Sequence, residues 1–276
     1  AGVRVVFDVH DLWPEMFEAK FGKRGLLYWA VRLAERATLA LADVVLATND
    51  SVANAVKRRG GKPDDEVLVV RTAPATLDTA APTDESLKKG RRFLVGYIGV
   101  MGNADGVDYL IDAAHRIVHE CGRTDVQFHL MGSGPEFEEL VMKKDSLNLG
   151  AFVEMPGRVT NAHLFSALQT MDLGVACDPI NAYNDHCTMN KTLEYMAFGK
   201  AQVMFGTVEG RVSAGDAAYY VMENSAAKLG DAILELLDDE PRRQRMGEIG
   251  QRRLAEELGW DKSVDQLKAA YGRVTE

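Results

Sequence analysis

The densest run of chemistry-bearing residues lies at 184–200, NDHCTMNKTLEYMAFGK. Thr188 is spaced as a helix N-cap, which would turn the N–H groups of Met189, Asn190 and Lys191 toward whatever precedes the helix, where the dipole favours an anion. Lys191 adds a full positive charge at that end. Glu194, one turn further on, is a carboxylate able to accept hydrogen bonds from two neighbouring hydroxyls, as a ribose presents them. The plainer alternative is a capped helix with Lys and Glu on its surface.

Three glycine-bearing turns offer complementary chemistry. Gly99-Val100-Met101-Gly102, followed by Asp105-Gly106, would let a pyrophosphate approach backbone N–H groups at a helix start, although the same residues suit any tight strand-to-helix turn. Gly132-Ser133-Gly134-Pro135-Glu136 joins backbone freedom to a proline suited to a first helical turn. Gly157-Arg158-Val159 could present backbone groups to a base edge, with the Arg158 plane available for stacking. Nearer the start, Asp8-Val9-His10-Asp11 puts a histidine at a strand end, where it could contact a ligand and switch charge near neutrality.

These positions make sense only if strands and helices alternate. Short β-branched runs separated by stretches with apolar residues at three and four are the signature of a parallel sheet covered by helices, so the fold class is α/β. Before the first break the expected strands are 3–9, 43–48 and 66–70. The helix expected at 27–42 carries Leu27, Ala30, Val31, Ala34, Ala37 and Leu41 on one face, and a second helix spans 51–59. Residues 92–99 begin a complete doubly wound, Rossmann-like domain, with further strands from 126 and at 152–155, 173–177, 202–205 and 218–221. The domains are thus expected at 1–73, a remnant of an N-terminal acceptor-side domain, and 92–256, a donor-binding domain, with a linker at 74–91. A last helix at 257–276 is expected to cross back to the N-terminal part. The ligand region of such a sheet is at the carboxyl ends of its strands.

Composition narrows the function. The 276 residues carry 32 Lys and Arg against 41 Asp and Glu, a net charge of −9, which argues against nucleic acid as the partner. Three dispersed cysteines support neither a disulfide framework nor a structural zinc site, and a cytoplasmic location follows. Residues 17–36 mix Phe17, Phe21, Leu26, Leu27, Tyr28 and Trp29 with Lys20, Lys23, Arg24 and Arg32, which fits either a helix packed on the sheet or peripheral contact with the inner membrane face.

The stretches VGYIGVMGNADGVDYLIDAAH, FHLMGSGPE, MPGRV and MNKTLEYMAFGKAQVMFGTVEGRVSAGDAAYYV together resemble the family 4 retaining glycosyltransferases of the GT-B fold. Upstream, VVFDVHDLWPE and DVVLATN are similar to the later part of that family's N-terminal domain. The resemblance implies transfer of a hexosyl or N-acetylhexosaminyl group from a UDP- or GDP-sugar to a glycan or lipid-linked acceptor, with no cofactor and no required metal. It places Glu194 on the nucleotide ribose, as the last Glu of the family's E-x7-E motif. Thr188, Met189, Asn190 and Lys191 fall at the diphosphate and sugar, Arg158 and Val159 at the base, Gly99 and Gly102 on the phosphate side, and His10 beside the donor sugar.

Departures from the pattern qualify these expectations. His186 stands where the first Glu of E-x7-E would be, so Asp185 is the substitute carboxylate. Val100 and Asp105 occupy the region where many members carry Arg and Lys, leaving Lys191 and Arg211 to supply phosphate charge, as in a subgroup making cell-surface polysaccharides. The family's early N-terminal βα units have no counterpart before Ala1, which suggests a fragment or a short form completed by a second copy across an open sheet edge. No carboxylate pair is assignable to a double displacement, so front-face attack through an oxocarbenium-like state is expected, with His10 orienting the sugar. The rival readings are a nucleotide-sugar-binding domain without catalysis, a sugar-nucleotide 2-epimerase, and a membrane scaffold.

Overall fold

The computed structural model describes residues 3–74 and 77–275; Ala1, Gly2, Glu276 and, within the expected linker, Ala75 and Thr76 lie outside the described residues. The chain divides into two compact units, one of Ala1–Pro74, Asn181–Thr188 and Ala255–Glu276, the other of Ala75–Ile180 and Met189–Leu254.

The first unit opens with β1 (Val6–Val9), α1 (Trp13–Phe21), α2 (Leu26–Leu41), β2 (Val44–Ala47), α3 (Asp50–Gly60) and β3 (Val67–Val69). The strands form a parallel sheet in the order β1-β2-β3. All four residues of β2 are buried, as a β-branched run in the middle of a parallel sheet must be. Asn49 caps α3 by accepting the Val52 N–H at 2.8 Å. Residues 17–36 are not continuous helix, because Gly22 closes α1 in a left-handed conformation and α2 starts only after Gly25. The face expected to be core in α2 is largely reversed: Val31 is half-buried, whereas Leu27, Ala30, Ala34, Ala37 and Leu41 are exposed, and Tyr28 and Leu39 are the buried residues. Leu39 points inward because it meets Val45, Val52 and Val56, the apolar surface that β2 and α3 provide.

The second unit runs β4 (Phe93–Val100), α4 (Val107–His115), β5 (Val126–Ser133), α5 (Phe137–Ser146), β6 (Val153–Gly157), α6 (Asn161–Thr170), β7 (Leu173–Ala176), α7 (Asn190–Ala197), β8 (Gln202–Phe205), α8 (Val208–Ala214), β9 (Ala218–Val221), α9 (Ala226–Asp238) and α10 (Glu240–Arg253). Its six strands are parallel in the order β6-β5-β4-β7-β8-β9, which is the doubly wound arrangement with the chain reversing direction between β4 and β7. Successive residues of β4 serve opposite faces: Phe93, Val95 and Tyr97 pack with Leu110, Ile111, Ile233 and Leu236, while Leu94 and Ile98 pack with Leu168, Tyr195 and Phe198. Burial on both faces explains the near-continuous apolar character of this strand.

The final helix, α11 (Trp260–Thr275), belongs to the first unit, where Ala270 packs with Val44, Leu46 and Leu68 and the Ser263 hydroxyl donates to the Arg71 carbonyl at 2.9 Å. Residues 181–188 also group with the first unit, which corrects their expected place inside a 92–256 domain. The reason is a set of polar ties: the Asn49 amide donates to the His186 carbonyl at 2.8 Å and to Thr188 Oγ1 at 3.0 Å, and the Tyr183 hydroxyl donates to Asp11 at 3.0 Å.

Candidate active site

The carboxyl ends of β4, β5 and β7 converge at the reversal of strand order in the second unit. Gly99 and Gly132 are opposite one another at the ends of β4 and β5, each with φ of +147°. A Cβ on Gly132 would lie 1.8 Å from the Gly99 carbonyl oxygen, so no side chain fits there without parting the strand ends.

Helix starts around this point differ from those at the edges of the sheet. The helices after β6, β8 and β9 have their first N–H groups capped by Thr160, Thr207 and Ser225. Those after β4, β5 and β7, by contrast, have no side-chain cap. Of these three, α4 and α5 carry Asp108, Glu138 and Glu139 in the first turn, and α7 carries no acidic residue there. The start of α7 therefore leaves helix-end donors uncapped by side chains and a positive dipole end uncompensated by its own first turn. Tyr195 fixes this helix to the sheet: its hydroxyl accepts the Ile98 N–H at 3.2 Å and donates to the Val175 carbonyl at 3.0 Å, bridging β4 and β7.

Lys191 does not stand as a free cation at the helix start. It is 8% exposed, and its ammonium donates to Asp178 Oδ1 at 2.7 Å, with Asp178 itself 4% exposed. The ammonium also lies 5.0 Å from the centre of the Tyr97 ring. Burial works against the lysine charge, but Asp178 and its neighbours outweigh that and raise its pKa. Asp178 Oδ2 is buried without a hydrogen-bond partner, an acceptor held at the site. The Gly102 N–H, expected to face phosphate, instead donates to Asp105 Oδ2 at 3.0 Å. Burial raises the Asp105 carboxyl pKa, Lys191 opposes this, and Asp178 adds to it. Burial likewise raises the Glu194 pKa against the pull of Lys191, leaving a half-buried acceptor one turn along α7.

The other expected residues distribute as follows. Arg158 is exposed at the end of β6, and Val159 turns its side chain into the core with Leu94 and Leu168, so only its backbone is available to a base. Arg211 is exposed on α8, the helix packed against α7. Thr188 is not the cap of α7: Met189 occupies the cap position, and the Thr188 hydroxyl accepts from Asn49 in the first unit. His10 is exposed at the end of β1, 3.1 Å from Asp8. Asp185 lies in the short turn Asn184–His186, also in the first unit, and the His186 imidazole is hydrogen-bonded to Ser51. The structure thus brings Gly99, Gly102, Met189, Asn190, Lys191 and Glu194 into one unit, with His10, Asp185 and Thr188 in the other. Asp178 went unread in the sequence; its signal is its position just past β7, at the reversal point of the sheet.

The arrangement defines a Rossmann-like α/β protein whose second unit is a doubly wound parallel sheet with the strand-end glycines and the start of α7 at its reversal point. The family model described as "Glycosyl transferases group 1" matches residues 92–239, and the chain belongs to that family. It is 26% identical over 259 residues to a D-inositol 3-phosphate glycosyltransferase of Corynebacterium aurimucosum, covering 88% of this chain and 59% of that protein. An alpha-maltose-1-phosphate synthase of Mycolicibacterium smegmatis is also 26% identical, over 99% of this chain and 74% of its own. The crystal structure of Anabaena HepE in complex with UDP and glucose superposes with a TM-score of 0.75 at 18% identity, covering 98% of this chain and 71% of HepE. S. aureus TarM superposes with a TM-score of 0.73 at 16% identity, and the chain spans half of TarM's length. Among the described residues no helix is long and apolar enough to cross a membrane.

Proposed function

We propose that the protein takes part in retaining glycosyl transfer, moving a sugar from a nucleoside diphosphate donor to a glycan or lipid-linked acceptor in cell-surface polysaccharide synthesis. The observation that carries this reading is the side-chain-uncapped start of α7 at the reversal of strand order, with Glu194 one turn away. Helix-end N–H groups held in place before the reaction stabilise the charge that builds on a departing diphosphate without reorganising. Lys191 acts there as half of a buried pair with Asp178, tying α7 to the segment just past β7 as well as adding field. Glu194 takes the ribose hydroxyls, and His10 orients the donor sugar without serving as a base. The base is met at the Gly157–Arg158–Val159 turn, with Arg211 adding charge from α8. The relative whose structure contains UDP and glucose supports the class of donor.

Calorimetric titration of the chain with UDP, GDP and ADP, with and without EDTA, tests this. One nucleotide is expected to bind equally well with the chelator and to lose about tenfold or more in affinity in Glu194→Ala. Absence of binding by all three nucleotides, or an unchanged affinity in the folded variant, overturns the site. Binding of a nucleotide sugar without its consumption in the presence of acceptor would favour the reading as a binding domain.

A further inference from the structure

The turn after β4 carries a negative charge on the side where the donor diphosphate is to bind. Residues 99–106, GVMGNADG, contain no cation, and Asp105 is their one ionisable side chain. Lys191, the ammonium that acts on it, is taken by Asp178 Oδ1 at 2.7 Å, and Asp178 Oδ2 is buried with no hydrogen-bond partner. Two carboxylates therefore share one cation, and Asp108 in the first turn of α4 and Glu136 ahead of α5 deepen the negative field. Each opposes a diphosphate brought among them, the more so where burial weakens screening.

Asp105 also occupies a backbone donor that a phosphate would use. Its Oδ2 accepts the Gly102 N–H at 3.0 Å. The loop beneath is fixed: the Asp105 N–H donates to the Gly102 carbonyl at 2.9 Å, the Cys177 thiol donates to the Asp105 carbonyl at 3.4 Å, and a Cβ on Gly106 would lie 2.2 Å from the Cys177 carbonyl oxygen. The half-buried carboxylate of Asp105 is the part left to turn away. It is also the group able to take a proton. Asp178 is 4% exposed and hydrogen-bonded to Lys191, which keeps it ionised, and burial holds Tyr97 and Cys177 in their neutral forms. Burial already raises the Asp105 pKa against the pull of Lys191, and a neighbouring phosphate, as a like charge, raises it further.

We propose that Asp105 couples donor binding to the uptake of a proton: the arriving diphosphate takes the Gly102 N–H, the displaced carboxylate picks up one proton from solvent, and the resulting acid donates it in a hydrogen bond to a phosphate oxygen. This deepens the donor site proposed above and rests on it. A neutral O–H donor then stands beside the phosphates where the free protein holds an anion. Because the coupling is reciprocal, the diphosphate raises the proton affinity of Asp105 and the proton raises the affinity for the diphosphate. Binding therefore tightens as pH falls from the Asp105 pKa of the complex toward that of the free protein.

The test is calorimetry of the full chain and of Asp105→Asn with UDP, GDP and ADP, each at one pH in two buffers of different ionisation enthalpy, which counts the protons taken up. The native protein is expected to take up more protons than the variant, up to one per nucleotide. The comparison removes the nucleotide's own terminal phosphate, which titrates at about pH 6. The asparagine amide offers a neutral donor at every pH, so Asp105→Asn should bind about tenfold tighter at about pH 8 and approach the native affinity on acidification. Circular dichroism checks folding, and Asp105→Ala, which also removes the charge, serves the proton count if the asparagine variant does not fold. Equal proton counts, or an asparagine variant that binds no tighter than the native protein, overturns the inference and leaves the donor site standing. No nucleotide bound by either protein overturns the donor site, and the inference with it.

Discussion

Helices α2 and α9 carry the same kind of apolar repeat, and the two units treat it in opposite ways. In α9, Leu229, Ala232, Ile233, Leu236 and Leu237 are all buried, against α4 and the strands β7 and β8. In α2 the corresponding stripe faces solvent, and the helix is held by Tyr28 and Leu39. Charges divide in parallel: the Lys191–Asp178 pair of the second unit is almost wholly enclosed, whereas in the first unit Arg59 keeps more of its side chain in solvent while binding Glu35 and Glu15. A repeat at three and four says that a helix has an apolar side. What meets that side depends on the other elements of the unit.

The largest effect expected from this contrast is at the enclosed pair. Lys191→Met should cost about 3–5 kcal/mol of unfolding free energy by leaving Asp178 buried and unpaired, and the double change Lys191→Met with Asp178→Leu should recover most of it. Denaturant unfolding of the single and double variants checks this; equal losses in both would mean that packing, not the charge pair, sets the stability there.

The apolar faces come next. Leu236→Ala should cost about 2–5 kcal/mol, while Leu33→Ala, at an exposed site, should stay within about 0.5 kcal/mol. A large loss at Leu33 in the isolated chain would show that α2 is covered in solution, and the contrast with α9 would fall.

A smaller, pH-dependent effect is confined to the second unit. His129 is buried, with its Nε2 2.9 Å from His163 Nε2 and its Nδ1 3.3 Å from Glu154, which also binds Lys89. Burial lowers the His129 pKa despite Glu154, so the unfolded chain takes up the proton first as pH falls through the ordinary histidine range. The contribution is full above about pH 6.5 and is lost progressively on acidification. Urea midpoints measured from neutral to mildly acidic pH should fall more steeply in the native protein than in His129→Gln.

Much of the second unit was legible in the sequence because its inner strands are buried on both faces and read as short, largely apolar runs, as in residues 173–176 and 202–205. Gly99 and Gly132 were legible as strand-end glycines, although the reason for Gly132, the carbonyl of Gly99, was not. Thr188 shows the limit of local reading. Threonine before a helix is a good cap by type, but Asn49 claims its hydroxyl from more than a hundred residues away, and Met189 takes the cap position instead. Asp105 shows it again, since its carboxylate takes the very N–H that the glycine turn appeared to leave for phosphate.

The sequence by itself determined the alternation of strands and helices, the glycine turns, the acidic balance and the presence of a cation and a carboxylate one turn apart in α7, because these follow from local periodicity and residue type. The tertiary structure decided that Lys191 spends its charge on Asp178, that residues 181–188 join the first unit and that the outer side of α2 is uncovered within it. Each depends on contacts between residues distant in the chain, where burial strengthens an electrostatic interaction and an apolar face gains stability only from the surface that meets it.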